Sequence, residues 1–401
     1  MKLRTRLLML AMVGTVATAG CASTVQGAAV PGMSPVDIST LRLGSFSPEP
    51  TTYVLPRSST PDDVRRHESK RMLNYTILST DVDPEIDKVI GVEAFTAPGD
   101  PFRAPVLPEK YRAAMFDNKL VAGTYVVRTN GNMRSLKKLI ISVLRFPTEQ
   151  AASKAGDQMV QATLDEPSHV FAVDGHPDVK ASSKDWSTGT AYVTRGSYLL
   201  VTNYSLPQPD ETKVKTNLKK ALDLQLAKMA DLKPTPFEDV LDIPFDPDGI
   251  MRRAMPEAAD YSDVFSNDLD FYAYAPSGHL HFERNPALMK QAYADSGVDL
   301  IGRRVGVVYR AKDLAGAFRL QSALVTLGKN DEEIDPPPGL LDARCIQLYE
   351  KDNLRHYDML CAVVRDRYVG VVVSKSKVTG TTNPALYERA AAQYAVLARS
   401  E

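Results

Sequence analysis

Cysteine, histidine and tryptophan are scarce, at three, six and one residues in a chain of 401. So few histidines leave few general bases near neutral pH. The chain also lacks a Gly-x-Ser-x-Gly elbow, a P-loop, a dinucleotide fingerprint and a His-Glu-x-x-His zinc motif. No cofactor is called for by any motif. Positive charge is not in excess: 48 Lys+Arg face 49 Asp+Glu, which gives nothing to attract a nucleic-acid backbone. The one tryptophan, Trp186, reads as a sheet anchor.

What is present starts at the N-terminus. Lys2, Arg4 and Arg6 precede an apolar run over 7–16, within the range of a secretory signal and too short to span a bilayer. Thr18-Ala19-Gly20-Cys21 closes that run. The small residues before the cysteine resemble the lipobox of bacterial lipoproteins, in which the cysteine is acylated and becomes the first mature residue. This implies lipidation at Cys21 and a membrane anchor on the extracytoplasmic face. Removing residues 1–20 takes three basic residues from the 48, leaving 45 against 49 acidic ones and a net charge of −4. The remaining 381 residues are too many for one hydrophobic core.

The expected organisation is a signal peptide over 1–20, a flexible tether over 21–61, an N-terminal domain over 62–232, a Pro-rich linker over 233–249 and a C-terminal domain over 250–401. The tether reading rests on a Ser, Thr, Gly and Pro composition with few large apolar residues. Within the first domain, 88–95 reads as a strand and 108–118 as a helix with Tyr111, Ala114 and Met115 inward. Asn130-Gly131 between β-rich runs predicts a type I′ hairpin turn, which needs positive φ at both positions. Thr148 caps a helix over 148–164, two strands over 185–204 meet at Arg195-Gly196, and a helix over 214–232 buries Val214, Leu218, Ala221, Leu222 and Met229.

The second half repeats this order. Tyr272-Ala273-Tyr274-Ala275-Pro276 parallels the stretch ending Phe95-Thr96-Ala97-Pro98; a strand over 304–310 leads into a helix capped by Asp313. Val363-x-Arg365-x-x-Tyr368 matches Val193-x-Arg195-x-x-Tyr198 at a constant offset in the chain. Asn383 and Pro384 would start a final helix with Leu386, Tyr387, Ala390, Tyr394 and Leu397 inward. These parallels imply an internal duplication. The fold class is α+β, as two related domains, each a mixed or antiparallel sheet with helices packed on one face.

Cys345 and Cys361 lie at equal distances from Asn353, which with Asp352 reads as a hairpin tip. Equal spacing opposes the two sulfurs across paired strands, and a disulfide follows. His279-Leu280-His281-Phe282-Glu283 is the one stretch with metal-ligand character. On a strand, His279, His281 and Glu283 share a face, and two imidazoles with a carboxylate can hold zinc. Asp81, Asp83, Glu85 and Asp87 alternate suggestively, but Ile86 stands where a calcium loop needs glycine, so a solvated turn is expected. Asp331-Glu332-Glu333 before three prolines reads as an exposed loop.

Gly297-Val298-Asp299-Leu300, the run Val308-Tyr309-Arg310-Ala311-Lys312-Asp313-Leu314-Ala315-Gly316-Ala317 and Ala390-Ala391-Ala392-Gln393-Tyr394-Ala395-Val396-Leu397, with the lipobox, resemble a group of actinobacterial lipoproteins defined by a domain of unknown function. The similarity runs from Ala28 to the C-terminus. It implies a cell-envelope location and a C-terminal domain with paired cysteines, and no catalytic residues. The first half carries Ala191 at the place of Cys361, which excludes a second bridge. The resulting expectation is a non-catalytic envelope lipoprotein that binds a small molecule, a lipid or an envelope protein. The alternatives are a metal-dependent hydrolase centred on His279 and His281, or an interaction module without a ligand.

Overall fold

The computed structural model describes residues 32–53, 61–102, 106–166, 168–236, 239, 243–258, 263–265, 271–376 and 384–400. Cys21 and Asn383 lie outside them.

The first body begins with α1 (Pro61–Met72) and the short α2 (Ser79–Val82), then β1 (Lys88–Phe95), α3 (Arg112–Asp117), β2 (Ala122–Thr129), β3 (Lys138–Arg145) and α4 (Glu149–Leu164). It closes with β4 (His169–Val173), β5 (His176–Ser183), β6 (Thr188–Arg195), β7 (Tyr198–Ser205) and α5 (Glu211–Met229). The second body runs α6 (Ile250–Arg253), β8 (Tyr272–Tyr274), α7 (Pro276–His279), α8 (Pro286–Ser296), β9 (Leu300–Arg303), β10 (Val307–Arg310) and α9 (Leu314–Leu324). β11 (Glu332–Ile334), β12 (Arg344–Gln347), β13 (Met359–Arg365), β14 (Tyr368–Ser374) and α10 (Pro384–Ala398) complete it.

The first seven strands form one antiparallel sheet in the order β1-β2-β3-β7-β6-β5-β4. The second sheet, also antiparallel, runs β8-β9-β10-β14-β13-β12-β11, the same order with every strand advanced by seven. The duplication read from the sequence is therefore a duplication of topology. Its marker pattern falls at one place in each copy: Arg195 pairs Tyr198, and Arg365 pairs Tyr368, across two-residue turns. The helices start where side chains can satisfy free N–H groups. Thr148 accepts from Ala151 N, Asp210 from Lys213 N and Asp313 from Gly316 N.

The α+β class is as expected, but helices cover both faces of a sheet instead of one. Neighbouring strand residues point to opposite faces, and Leu199 packs with the α4 residues Ala155 and Met159 while Leu200 packs with the α5 residues Leu218 and Leu222. Gly189 lets α5 approach closely, since a Cβ there would collide with Val214 and Leu218. The hairpin at Asn130-Gly131 forms, but not as a type I′ turn. Only Gly131 has positive φ, at 68°, and the strands end at Thr129 and Lys138. The Asn130 carboxamide instead organises a longer loop, accepting from Lys137 N at 3.1 Å and donating to Ser135 O at 2.8 Å.

Residues 32–53, expected within a flexible tether, pack on the C-terminal body. Leu41 and Phe46 are buried in its core, and Ser34 N and Oγ donate to the two Asp342 carboxylate oxygens at 2.6 and 3.0 Å. Two large side chains and a few fixed hydrogen bonds order a stretch whose average composition is that of a linker.

A disulfide joins Cys345 and Cys361, which face each other directly between β12 and β13. Cys361 shares a face with Val363, whose partner Gly370 lies under Gln393 of α10, so the bridge lies on the sheet face that α10 packs against. In the first sheet the paired residues at this place are Ala181 and Ala191. Among the described residues no helix is long and apolar enough to cross a membrane.

Candidate functional site

The two bodies meet along a joint that draws on the stretch containing His279, His281 and Glu283. That stretch is not a strand. Pro276 at the first position of α7 presets φ for a helix, and a 3-10 turn over Leu280–Phe282 follows directly. The alternation His-x-His-x-Glu fits a strand, but on a helical turn residues four apart share a side and those two apart diverge. His279 Nδ1 accordingly lies 3.1 Å from Glu283 Oε1, while His281 turns to the other body, its Nε2 3.2 Å from the Thr76 carbonyl. The three expected metal ligands are thus separated. Among the described residues no group of three His, Cys, Asp or Glu is placed to hold a metal ion.

His281 has a structural setting instead. It is fully buried, and its pKa falls to about 3, first from burial and then from Lys228 and Arg128 nearby. Arg128 of β2 is equally buried and reaches across the joint. Its Nη2 donates to the carbonyls of Leu280, His281 and Glu283 at 3.3, 2.8 and 3.1 Å, and its Nη1 to Asp87 O at 2.5 Å. Burial pulls its pKa down to about 10. The carbonyls of Leu280, His281 and Glu283 lie at the end of a helical turn, where a cation is favoured. Lys70 donates to Phe271 O at 2.6 Å and Asn353 to Val89 O at 2.9 Å. Around these bonds Leu73, Val89, Val92 and Val126 of the first body share one buried apolar cluster with Tyr274 and Phe282 of the second.

Beside the joint is a cavity of about 400 Å³, lined by Asp87, Lys88 and Val89 of the first body and otherwise by the second. Glu283, Tyr309 and Tyr357 lie along its inner wall, Leu360 and Val371 belong to the sheet, and Lys329, Asp331 and Glu350–Asn353 come from loops. Most of its charges are committed. Asp87 pairs Lys88 at 3.0 Å and Arg284 pairs Asp331 at 3.3 Å, while Asp352 accepts from Leu354 N and Arg355 N.

Glu283 differs. Tyr293 and Tyr309 hydroxyls donate to its Oε1 at 2.6 and 2.9 Å, and His279 Nδ1 approaches the same oxygen. Burial alone would raise its pKa, but the hydrogen bonds from His279 and the two tyrosines outweigh it and hold the carboxyl below its usual range. Burial lowers the pKa of His279, which keeps the imidazole neutral, and it raises both tyrosines well above theirs. An ionised carboxylate, beside a neutral imidazole, presents a polar group to the cavity.

A second cavity, of about 510 Å³, lies on the first sheet. It has a floor of Thr188, Thr190, Asn203 and Ser205 and an apolar wall that includes Phe102, Leu107 and Tyr125. Asn203 donates to Thr190 Oγ1 at 2.8 Å and Thr188 to Ser205 Oγ at 3.2 Å. Thr190 and Val201 precede Leu360 and Val371 by the repeat offset, so the two cavities occupy one place in the duplicated fold.

Neither cavity was read from the sequence, since each is assembled from segments far apart in the chain. A partial signal exists for the first: the Asp331 run, expected to be an exposed loop, supplies Asp331 to the wall and Glu332–Ile334 as edge strand β11. Of the acidic alternation, Asp83 accepts from Lys137 and from Tyr204, each at 3.0 Å, and Asp81 pairs Lys290 at 2.9 Å. Trp186 stacks on His169 at 5.3 Å between ring centres, beside edge strand β4.

A repeated seven-stranded α+β unit with a cavity at its joint defines the class of protein. The chain belongs to the family described as domain of unknown function (DUF7373): the N-terminal family model matches residues 55–245 and the C-terminal one residues 250–400. No curated protein matches the chain. The crystal structure of the extracellular domain of PknH from Mycobacterium tuberculosis is similar over 39% of this chain and 96% of its own, at 11% identity and a TM-score of 0.29. That overlap is too loose to support a structural argument.

Proposed function

We propose that this protein is an actinobacterial cell-envelope lipoprotein, acylated at Cys21 and held on the extracytoplasmic face of the membrane, that binds a small molecule without transforming it. The observation that supports binding is the cavity between the two bodies, where an ionised carboxylate meets a space of ligand size. The Ala19-Gly20-Cys21 run supports the anchor. Nucleic acid is not a partner in this reading; a lipid or an envelope protein is the alternative occupant.

The test is native mass spectrometry of the full chain purified from its own envelope, before and after denaturation. A small molecule released by denaturation is the expected result. A bare chain that no added compound stabilises would overturn the binding reading. Metabolic labelling with an alkyne fatty acid should mark the wild type and not Cys21→Ser, and equal labelling would overturn the anchor.

A further inference from the structure

Glu283 holds its charge through donors that all reach one of its two carboxylate oxygens. A carboxylate taken out of water needs a counter-charge or a full set of hydrogen bonds. The donors that reach Glu283 crowd onto Oε1, from Tyr293, Tyr309 and His279. The one titratable nitrogen base beside it among the described residues is His279, a neutral side chain buried among Tyr274, Phe282 and Tyr309 rings. Lysine and arginine are not within ion-pair distance of it among those residues, whereas the neighbouring cavity carboxylates Asp87 and Asp331 each have one. Glu283 nevertheless lines the cavity together with the Tyr309 and Tyr357 rings. At the loops that close the same cavity, Lys329 and Lys351 are exposed and make no ion pair among the described residues.

We propose that the cavity takes a small zwitterionic amine, its ammonium on the free side of Glu283 against the tyrosine rings and its anionic end toward Lys329 and Lys351. An ammonium has three donors for a carboxylate oxygen and is attracted to aromatic faces. With Asp352 held by backbone N–H groups, the lining charges without a Lys, Arg, Asp or Glu ion-pair partner among the described residues are Glu283 inside and Lys329, Lys351 and the single acid Glu350 at the exposed rim. This deepens the binding reading given above and rests on it.

Calorimetric titration of the full chain with 6-aminohexanoate, hexylamine and hexanoate separates the two ends. Both amines are expected to bind and hexanoate not. Glu283→Gln should weaken both amines tenfold or more, and the exposed double variant Lys329→Ala/Lys351→Ala should weaken 6-aminohexanoate alone by a few-fold. The double variant leaves the interior untouched, so it remains informative if Glu283→Gln folds poorly. Hexanoate binding as tightly as hexylamine, or amine binding unchanged in Glu283→Gln, would overturn the assignment. A co-purifying molecule without an amine would overturn it while leaving the binding reading intact; no co-purifying molecule together with no binding of any probe would remove both.

Discussion

The two sheets share one strand order, yet the same place in each carries opposite chemistry. In the C-terminal copy the cavity is lined by charge and closed by residues of the other body. In the N-terminal copy it is floored by hydroxyls and an amide and closed by the body's own chain. The bridged pair Cys345 and Cys361 likewise has Ala181 and Ala191 as its counterpart. Strand order is set by backbone pairing and by which faces are apolar, and those constraints leave single positions on the sheet free to diverge.

One device has not diverged. Gln225 of α5 and Gln393 of α10 are both fully buried, and each bonds the backbone ahead of its body's first strand. Gln225 accepts from Ile77 N and donates to Tyr75 O, at 3.0 and 2.7 Å; Gln393 accepts from Met255 N and donates to Arg253 O, both at 2.8 Å. A buried backbone group must find a partner in either copy, so this contact answers to the fold.

The comparison can be broken hardest at the joint. Arg128→Met strips four carbonyls of a buried donor, at about 1 kcal/mol or more each, so a loss of about 5 kcal/mol is expected. Chemical denaturation monitored in both bodies should then show two transitions; a single unshifted one would mean that the guanidinium does not couple them. The disulfide comes next. Cys345→Ala/Cys361→Ala should cost about 3 kcal/mol from loop entropy, and Ala181→Cys/Ala191→Cys should close a bridge in the N-terminal copy, visible as two thiols protected from alkylation. Gln225→Leu and Gln393→Leu should each cost about 2 kcal/mol, about 1 for each lost bond. Equal losses in thermal melts would sharpen the equivalence, and a large difference would break it.

The smallest effect is acid sensitivity near pH 6. His67 and His281 are held neutral in the joint, with pKa values lowered to about 4 and about 3, chiefly by burial. In the unfolded chain both titrate near 6.5. Their contribution is complete above that value and is lost as pH falls, because the unfolded state then binds more protons. The loss is under about 1 kcal/mol per histidine at pH 6 and steepens toward about 1.4 kcal/mol per pH unit below it. Stability measured from pH 7 to 5 should therefore fall less in His281→Gln than in the wild type.

Local signals carried much of the fold. Thr148 and Asp313 mark helix starts because their oxygens cap them, the Val-x-Arg-x-x-Tyr pattern marks equivalent hairpins, and symmetric spacing about Asn353 opposes the two cysteines. Edge strands were harder. β4 and β5 escaped because His169 and Val170 are exposed and Pro177 interrupts the run, so neither face alternates cleanly. The site was not legible at all: Arg128, Asp87 and Glu283 meet only through long-range packing, and the histidine pair was misplaced because a period of two does not distinguish a strand from a turn that sorts residues by fours.

The strap over 32–53 changes how a pull on the chain would be felt. Ser34 is tied to Asp342, Thr51 to Arg304 and Glu49 to Arg399, just beyond α10. Both ends of the described chain are thus fastened to the C-terminal body. Tension applied ahead of residue 32 runs into that body and its disulfide-bridged sheet. The N-terminal sheet, strung between two segments of its neighbour, lies off the load path.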